Sequence, residues 1–190
     1  DIDAAVAMGV DAIGLIVYPK SSRAVTVTDA ADLSQHVPIF VDAIAVFVDP
    51  DPEIVRAVIK LGKIDVLQFH GNESPAFCDQ FGLPYIKAIR MQEGIDIHQL
   101  AEEYERSSAL LLDAYHPSMP GGSGETFDWD RIPRDLKQRV ILAGGLTPLN
   151  VKEAIDQVQP YAVDAVSGVE AKKGVKDVAK MQCFVDACAG

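Results

Sequence analysis

One carboxylate, Asp113, stands directly after the apolar run 110–112. If that run is a buried strand, the carboxylate lies at the strand end in apolar surroundings, where loss of hydration favours the protonated form. A protonated carboxyl group can deliver a proton to a substrate oxygen as a general acid. The alternative is a strand-end aspartate that caps the next loop.

Two glycine-containing segments follow two successive apolar runs near the end of the chain. Gly144 and Gly145 precede a Thr-Pro pair that is typical of a helix start, and Ser167 and Gly168 follow the next run. Glycine has no side chain, so a ligand can approach its backbone N–H closely, and N–H groups at a helix N-terminus bind phosphate. The two segments predict a phosphate site, unless the glycines only permit tight turns.

Gln68 and His70 stand two residues apart at the end of another apolar run, so their side chains share one side of a strand. They are candidate substrate contacts, with a core or capping histidine as the alternative. Arg23 stands in a loop after the first apolar run. It could hold a substrate carboxylate by two parallel hydrogen bonds, or be an ordinary surface arginine.

The elements that must position these residues are predicted from apolar, β-branched runs, each followed by a helical pattern. The runs are 12–17, 44–48, 64–69, 85–89, 110–112, 140–142 and 163–166. Such runs are typical of parallel strands buried on both faces. Seven regularly spaced units favour an α/β fold of the eightfold TIM (βα)8 barrel type over an open doubly wound sheet. The chain opens in a helical pattern ending at Gly9, so we expect the first barrel strand to be absent from it.

In a βα barrel the active site lies at the carboxyl ends of the strands, and phosphate usually binds after strands seven and eight. The candidate residues above all stand at such ends. Asp11, Asp42 and Asp65 precede their runs and are interpreted as solubilising or capping groups at the other end. The glycine- and proline-rich segment 114–126 is interpreted as a mobile lid, or else as a disordered loop.

Length and composition predict one domain over residues 1–190. With no apolar run near the ~20 residues of a membrane span and no signal peptide, we expect a soluble, cytoplasmic protein without membrane partners.

A net charge of -11 argues against a nucleic-acid partner, so any anionic ligand must be bound by a few specific groups. Cys78, Cys183 and Cys188 lack metal-ligand spacing and are interpreted as core thiols. A monomer or a homodimer fits equally.

Several short motifs stand in order along the chain. They are Asp-Ala-Ile-Gly at 11–14, Tyr-Pro-Lys-Ser at 18–21 with Arg23, Gln-Phe-His-Gly-Asn-Glu-Ser-Pro at 68–75, Leu-Leu-Asp at 111–113, Gly-Gly-Ser-Gly at 121–124, Phe-Asp-Trp at 127–129, Ala-Gly-Gly-Leu-Thr-Pro at 143–148 and Ser-Gly-Val-Glu at 167–170. In this order and spacing the chain resembles the phosphoribosylanthranilate isomerase family of tryptophan biosynthesis.

The resemblance implies an eightfold barrel that converts N-(5-phosphoribosyl)anthranilate into 1-(2-carboxyphenylamino)-1-deoxyribulose 5-phosphate by an Amadori rearrangement. It implies neither a metal nor an organic cofactor, and a phosphorylated small molecule as the substrate. The residues it assigns are Asp113 as general acid, Arg23 for the anthranilate carboxylate, Gly144, Gly145, Ser167 and Gly168 for the phosphate, and Asp164 for the aromatic amine, with Gln68 and His70 also expected to bind substrate.

The family's general base is a cysteine in a Lys-x-Cys-Gly stretch at the end of the first strand, and no position of this chain matches it. We therefore expect the chain alone to be inactive, a fragment that binds the sugar phosphate without turnover. Ser22 stands where the family often has Pro, and Val166 where it often has Ser. Sister barrel enzymes such as indole-glycerol-phosphate synthase are a further alternative, but their strand-end Lys and Glu are not found here.

Overall fold

The computed structural model describes residues 1–114 and 126–190. These form two compact units, Asp1–Lys87 and Ala88–Gly190. The segment interpreted as a lid lies outside the described residues, apart from its two end residues. A single domain over residues 1–190 stays a prediction.

Seven parallel strands form one sheet whose order follows the chain. They are β1 Ala12–Ile16, β2 Asp42–Phe47, β3 Val66–Phe69, β4 Tyr85–Met91, β5 Ala109–Ala114, β6 Arg139–Leu142 and β7 Ala162–Val163. Each predicted apolar run therefore contributes a strand. A two-stranded antiparallel hairpin follows, made of β8 Glu170–Lys172 and β9 Val175–Lys176.

Helices alternate with most of these strands. They are α1 Ile2–Ala7, α2 Val27–Ser34, α3 Pro52–Leu61, α4 Pro75–Asp79, α5 Ile97–Glu103, α6 Val151–Val158 and α7 Val178–Ala189. Of the helices in the described ranges, none is long and apolar enough to cross a bilayer.

Local capping sets the helix bounds in the first unit. Asp51 accepts a hydrogen bond from the Glu53 N–H at 2.8 Å, and Pro52 opens α3 with its φ already helical. Gly62 ends the same helix. Ser74 caps α4 in the same way, through the N–H of Phe77. Both helices thus start at an Asp-Pro or Ser-Pro pair, a pattern typical of a capped helix start.

An aromatic cluster fills the space between the sheet and α4 in the first unit. The Phe69 ring lies about 6 Å, centroid to centroid, from the rings of Phe47, Phe77, Phe81 and Tyr85. Phe47 and Phe69 are fully buried. This packing fixes which side of β3 faces the helices, and the alternate residues of the strand must face the other side.

In the second unit, β5 is buried along its whole length, as expected for a parallel strand covered on both faces. It pairs with β6, and Leu112 lies opposite Leu142. The helix predicted after β5 is not found in the described residues, where only a short 3-10 turn, Trp129–Arg131, precedes β6. Asp128 caps that turn, and Pro133 holds Ile132 in an extended conformation that ends it.

Candidate active site

Asp113 lies in the second unit, next to last in β5, and only 6% of its surface is exposed. The chain leaving β6 passes directly against it at Gly144. A Cβ atom placed on Gly144 would lie 2.9 Å from the Asp113 Oδ1 and 2.6 Å from the Cβ of Ala114. Real Cβ atoms do not approach other atoms this closely, so the glycine lets the loop backbone reach the carboxylate.

The loop after β6 carries two neighbouring glycines in the left-handed region, with φ of 81° at Gly144 and 68° at Gly145. The Asn150 side chain fixes this loop, since its Nδ2 donates to the Gly145 carbonyl at 3.0 Å and its Oδ1 accepts from the Thr147 N–H at 2.7 Å. Within the described residues, the N–H groups of Gly144 and Gly145 donate no hydrogen bond. The pair therefore presents preformed donors for an anion.

The loop after β7 packs against this glycine loop. Ser167–Val169 forms a 3-10 turn, and a Cβ on Gly168 would lie 2.9 Å from the Leu146 carbonyl carbon and 3.1 Å from the Thr147 Cα. Gly168 is therefore required for the close approach of the two backbones. The structure brings Asp113, the Gly144-Gly145 pair and the Ser167-Gly168 pair together within the second unit.

Two lysines bind the carbonyl groups that flank the Ser167–Val169 turn after β7. Lys176 Nζ donates to the Val166 carbonyl at 2.9 Å, and Lys180 Nζ donates to the Glu170 carbonyl at 2.8 Å. Their ammonium groups bring positive charge beside the Ser167–Val169 turn, which favours an anion there. Sequence reasoning missed them, although the basic run 172–180 was a visible signal.

The helix start predicted at Thr147 is wrong. Helix α6 begins at Val151 with Asn150 as its N-cap, because the Thr147 hydroxyl accepts instead from the Leu149 N–H at 3.2 Å and closes a turn. The helix N-terminus therefore stands further along the chain than expected.

Asp164 is expected inside the last strand of the parallel sheet. It lies one residue beyond that strand, since β7 covers only Ala162–Val163. Its N–H still donates to the Leu142 carbonyl at 2.8 Å, so the parallel pairing with β6 continues to this residue. The chain then leaves the sheet at Val166, whose backbone is helical, to enter the turn that carries Gly168.

In the first unit, Gln68 and His70 share one side of β3, as predicted. Gln68 Nε2 lies 3.2 Å from His70 Nδ1, and the His70 N–H donates to the Phe47 carbonyl at 2.8 Å. Because the amide nitrogen is the donor, Nδ1 accepts and the neutral ring carries its proton on Nε2. The Gln68 contact thus sets which ring nitrogen of His70 donates.

Arg23 is half-buried in the loop between β1 and α2. Its N–H donates to the Ser21 hydroxyl at 3.1 Å, and the Val25 N–H returns to the Ile16 carbonyl at 2.9 Å. The first bond lies within the loop, and the second ties its far end to the carboxyl end of β1. The location is the one expected for a residue that reaches a ligand from a strand end.

The three cysteines differ in their surroundings. Cys78 in α4 is buried, and desolvation raises the pKa of its thiol from 9.0 to about 12. Cys188 is half-buried in α7, and burial raises the pKa of its thiol as well. Cys183 is exposed on the same helix, so the core interpretation is wrong for this residue.

Sequence reasoning also missed a buried ion pair near His70. Lys87 Nζ lies 2.7 Å from Glu73 Oε2, and both side chains are almost fully buried. The signal was a lysine inside the apolar run 85–89, which only a buried partner charge permits.

Comparison with known proteins gives one consistent result. The profile of the family described as N-(5'phosphoribosyl)anthranilate (PRA) isomerase matches residues 1–187. Proteins named N-(5'-phosphoribosyl)anthranilate isomerase are 51% identical in Nitrosococcus oceani, over 95% of this chain and 88% of that protein, and 51% identical in Chromohalobacter salexigens, over 97% and 87%.

Solved structures of the same enzyme share the fold. The Thermotoga maritima phosphoribosyl anthranilate isomerase superposes with a TM-score of 0.90 at 35% identity, covering 100% of this chain and 95% of the other. A structure of the isomerase with reduced 1-(o-carboxyphenylamino)-1-deoxyribulose 5-phosphate gives a TM-score of 0.87 at 34% identity, covering 100% and 94%. The α/β fold is that of the TIM-barrel isomerases, and this chain belongs to the phosphoribosylanthranilate isomerase family.

Proposed function

We propose that this chain isomerises N-(5-phosphoribosyl)anthranilate to 1-(2-carboxyphenylamino)-1-deoxyribulose 5-phosphate, a step of tryptophan biosynthesis. The observation that carries the proposal is the contact of the buried Asp113 carboxylate with the Gly144 backbone, in a chain of this family. A proton donor and a row of anion-binding amides then lie side by side, which suits a phosphorylated sugar that must be protonated.

Asp113 acts as the general acid in this proposal. Its carboxyl proton passes to the furanose ring oxygen while the bond from that oxygen to C1 breaks, which leaves a Schiff base between C1 and the anthranilate nitrogen. A base then removes the proton from C2, and the enolamine so formed tautomerises to the ketone. Burial of Asp113 supports this role, since water does not compete for the transferred proton.

The phosphate binds to the N–H groups of Gly144 and Gly145 and to the turn that contains Ser167 and Gly168. Two facts support this assignment. The glycine amides donate to no other group among the described residues, and the two loops touch at Gly168. With a net charge of -11, the chain attracts an anion through such local donors rather than through its overall field.

The remaining contacts are assigned by chemistry. Arg23 pairs with the anthranilate carboxylate, Gln68 and His70 donate to polar groups of the substrate, and Asp164 faces the aromatic amine. The half-buried positions of Arg23, His70 and Asp164 support these roles, because such side chains keep one side accessible.

The general base is not one of the three cysteines. A thiol with a pKa of about 12, such as that of Cys78, holds its proton near neutral pH and cannot accept another. Cys183 and Cys188 stand on α7, beyond all the strands. The comparisons give no support to the expectation that the 190-residue chain alone is inactive, since relatives align over 95% of it.

Three further expectations stay predictions. The chain is a monomer or a homodimer, and one related Thermotoga maritima isomerase is described as dimeric. The cytoplasm is its location, and residues 1–190 form one domain.

The experiment that tests this function replaces Asp113 by Asn, which has the same shape and no acidic proton. Turnover is followed through loss of the anthranilate-linked fluorescence. We expect Asp113→Asn to lower turnover by about 100-fold or more, the typical contribution of a general acid. Asp42→Asn is the matched control, since Asp42 is exposed at the first residue of β2. Near-parental turnover by Asp113→Asn would exclude this residue as the acid.

A further inference from the structure

The ion pair between Lys87 and Glu73 is among the most buried polar features of the first unit. The side chains are 3% and 2% exposed, and the Lys87 Nζ lies 2.7 Å from Glu73 Oε2. Removing two charges from water is costly, so a buried pair is weak evidence for stability and its hydrogen bonds can instead fix local geometry. The substrate contacts assigned above do not include either residue.

Both charges of the pair hold the peptide groups that follow His70. The Gly71 N–H donates to Glu73 Oε1 at 3.1 Å and Oε2 at 3.0 Å, and the Gly71 carbonyl accepts from Lys87 Nζ at 2.7 Å. The His70 N–H itself is bonded to the Phe47 carbonyl. The backbone on both sides of the His70 side chain is therefore fixed, which sets the direction of its Cα–Cβ bond.

The same carboxylate also anchors the loop after β2. Glu73 Oε1 accepts from the Asp49 N–H at 2.8 Å, and Asp49 Oδ1 accepts in turn from the Asn72 N–H at 2.6 Å. Asp49 has a φ of 44°, a left-handed conformation that a non-glycine residue adopts only when its surroundings hold it. One buried carboxylate thus ties the loops after β2 and β3 to each other, and Lys87 ties them to β4.

The pair lies on the opposite side of the sheet from the proposed substrate contacts. Lys87 stands opposite Phe69 in the parallel register, so the two side chains share a side. Phe69 packs on Phe77 of α4, which identifies that side as the one facing the helices. Gln68 and His70 alternate with Phe69 and therefore face away from the helices. Lys87 does not reach the substrate and can act only through the backbone.

We propose that Lys87 and Glu73 are positioning residues for substrate binding, which clamp the Gly71 peptide groups and so aim the His70 ring at the ligand. This inference rests on the proposed function for the identity of the ligand. The clamp itself is independent of that identity. Its loss loosens the loop and lets the His70 and Gln68 side chains separate.

The test removes both charges together with Glu73→Gln and Lys87→Met. A single substitution would leave one buried charge unpaired and destabilise the protein for that reason alone, whereas a neutral pair of similar volume avoids this penalty. The matched control is Lys152→Met with Asp156→Asn, which deletes the same kinds of charge from an exposed pair on α6. Unfolding by urea checks that each variant is folded.

Three readouts separate positioning from simple stability. Calorimetry with reduced 1-(o-carboxyphenylamino)-1-deoxyribulose 5-phosphate is expected to show about a tenfold higher Kd in the double variant and less than about a twofold change in the control. In turnover assays the KM of the double variant is expected to rise by the same factor as its Kd. Its kcat is expected to stay within about threefold of the parental value, because binding rather than proton transfer is impaired. NMR of the ring nitrogens is expected to show His70 losing its single Nε2–H tautomer.

Each outcome decides the inference. A folded double variant with parental Kd and an unchanged His70 tautomer overturns it. If the double variant does not fold, Glu73→Asp takes its place, since the shorter carboxylate cannot reach Lys87 and both backbone donors, and the same two results apply. Failure of the parent to bind the analogue would instead refute the proposed function, and the His70 tautomer would still test the clamp.

Discussion

Replacing Gly144 by Ala tests whether the loop after β6 is built around the Asp113 carboxylate. The residue has a φ of 81°, a conformation that costs a side chain about 1–2 kcal/mol. The new Cβ would also lie 2.9 Å from Asp113 Oδ1 and 2.6 Å from the Ala114 Cβ. Both distances are too short for real contacts, so the loop or the carboxylate must move.

The expected loss of stability in Gly144→Ala follows from these two effects. Overpacking of this kind costs about 1–3 kcal/mol, so the total loss of stability is about 2–5 kcal/mol. For a chain of 190 residues, each kcal/mol lowers the melting temperature by about 2–4 °C. A displacement of the acid by about 1 Å can cost about 100-fold in turnover, so activity suffers more than folding does.

Gly82→Ala separates the two effects. Gly82 has a φ of 74°, but a Cβ there meets nothing within 4 Å. This control carries the backbone cost alone, about 1–2 kcal/mol, and leaves ligand binding unchanged. Urea unfolding measures stability, and calorimetry with the reduced product analogue measures affinity.

We expect Gly144→Ala to weaken analogue binding by about tenfold or more at concentrations of urea where it is fully folded. Parental affinity in Gly144→Ala, with a stability loss equal to that of Gly82→Ala, would refute the argument that Gly144 exists for the approach to Asp113.

One other expectation concerns Cys78 and the pH dependence of stability. Because burial raises the pKa of the Cys78 thiol to about 12, the unfolded chain releases this proton above its ordinary pKa of 9.0 while the folded chain keeps it. The free energy of unfolding therefore falls by about 1.4 kcal/mol per pH unit above that pH. In urea unfolding from pH 8 to 11, Cys78→Ala is expected to flatten this dependence on pH. Equal slopes in the parent and the variant would contradict the argument that Cys78 is buried with its proton.

Local signals in the sequence determined the elements and the order in which they stand. Each predicted apolar run contributes a strand, because β-branched and other apolar side chains suit a buried, pleated surface. The caps at Asp51 and Ser74 work through bonds to N–H groups two or three residues away, which the sequence already displays. Asp113 and His70 could be placed at strand ends for the same reason, and the family resemblance gave them roles.

The tertiary structure decided what depends on residues far apart in the chain. The prediction at Thr147 failed because the Thr147 hydroxyl closes a turn with the Leu149 N–H and the Asn150 side chain bonds back to the Thr147 N–H, contacts that form only in the folded loop. Spacing along the chain does not reveal that Gly144 touches Asp113, since the two are brought together by the pairing of β5 with β6.

The Lys87–Glu73 pair shows the same limit most clearly. A lysine in an apolar run signals a buried partner, but the sequence does not name that partner or the peptide groups that the pair holds. A buried charge without a partner is so costly that the fold must supply an opposite charge. Which carboxylate pairs with Lys87 is fixed only when β4 and the loop after β3 pack together.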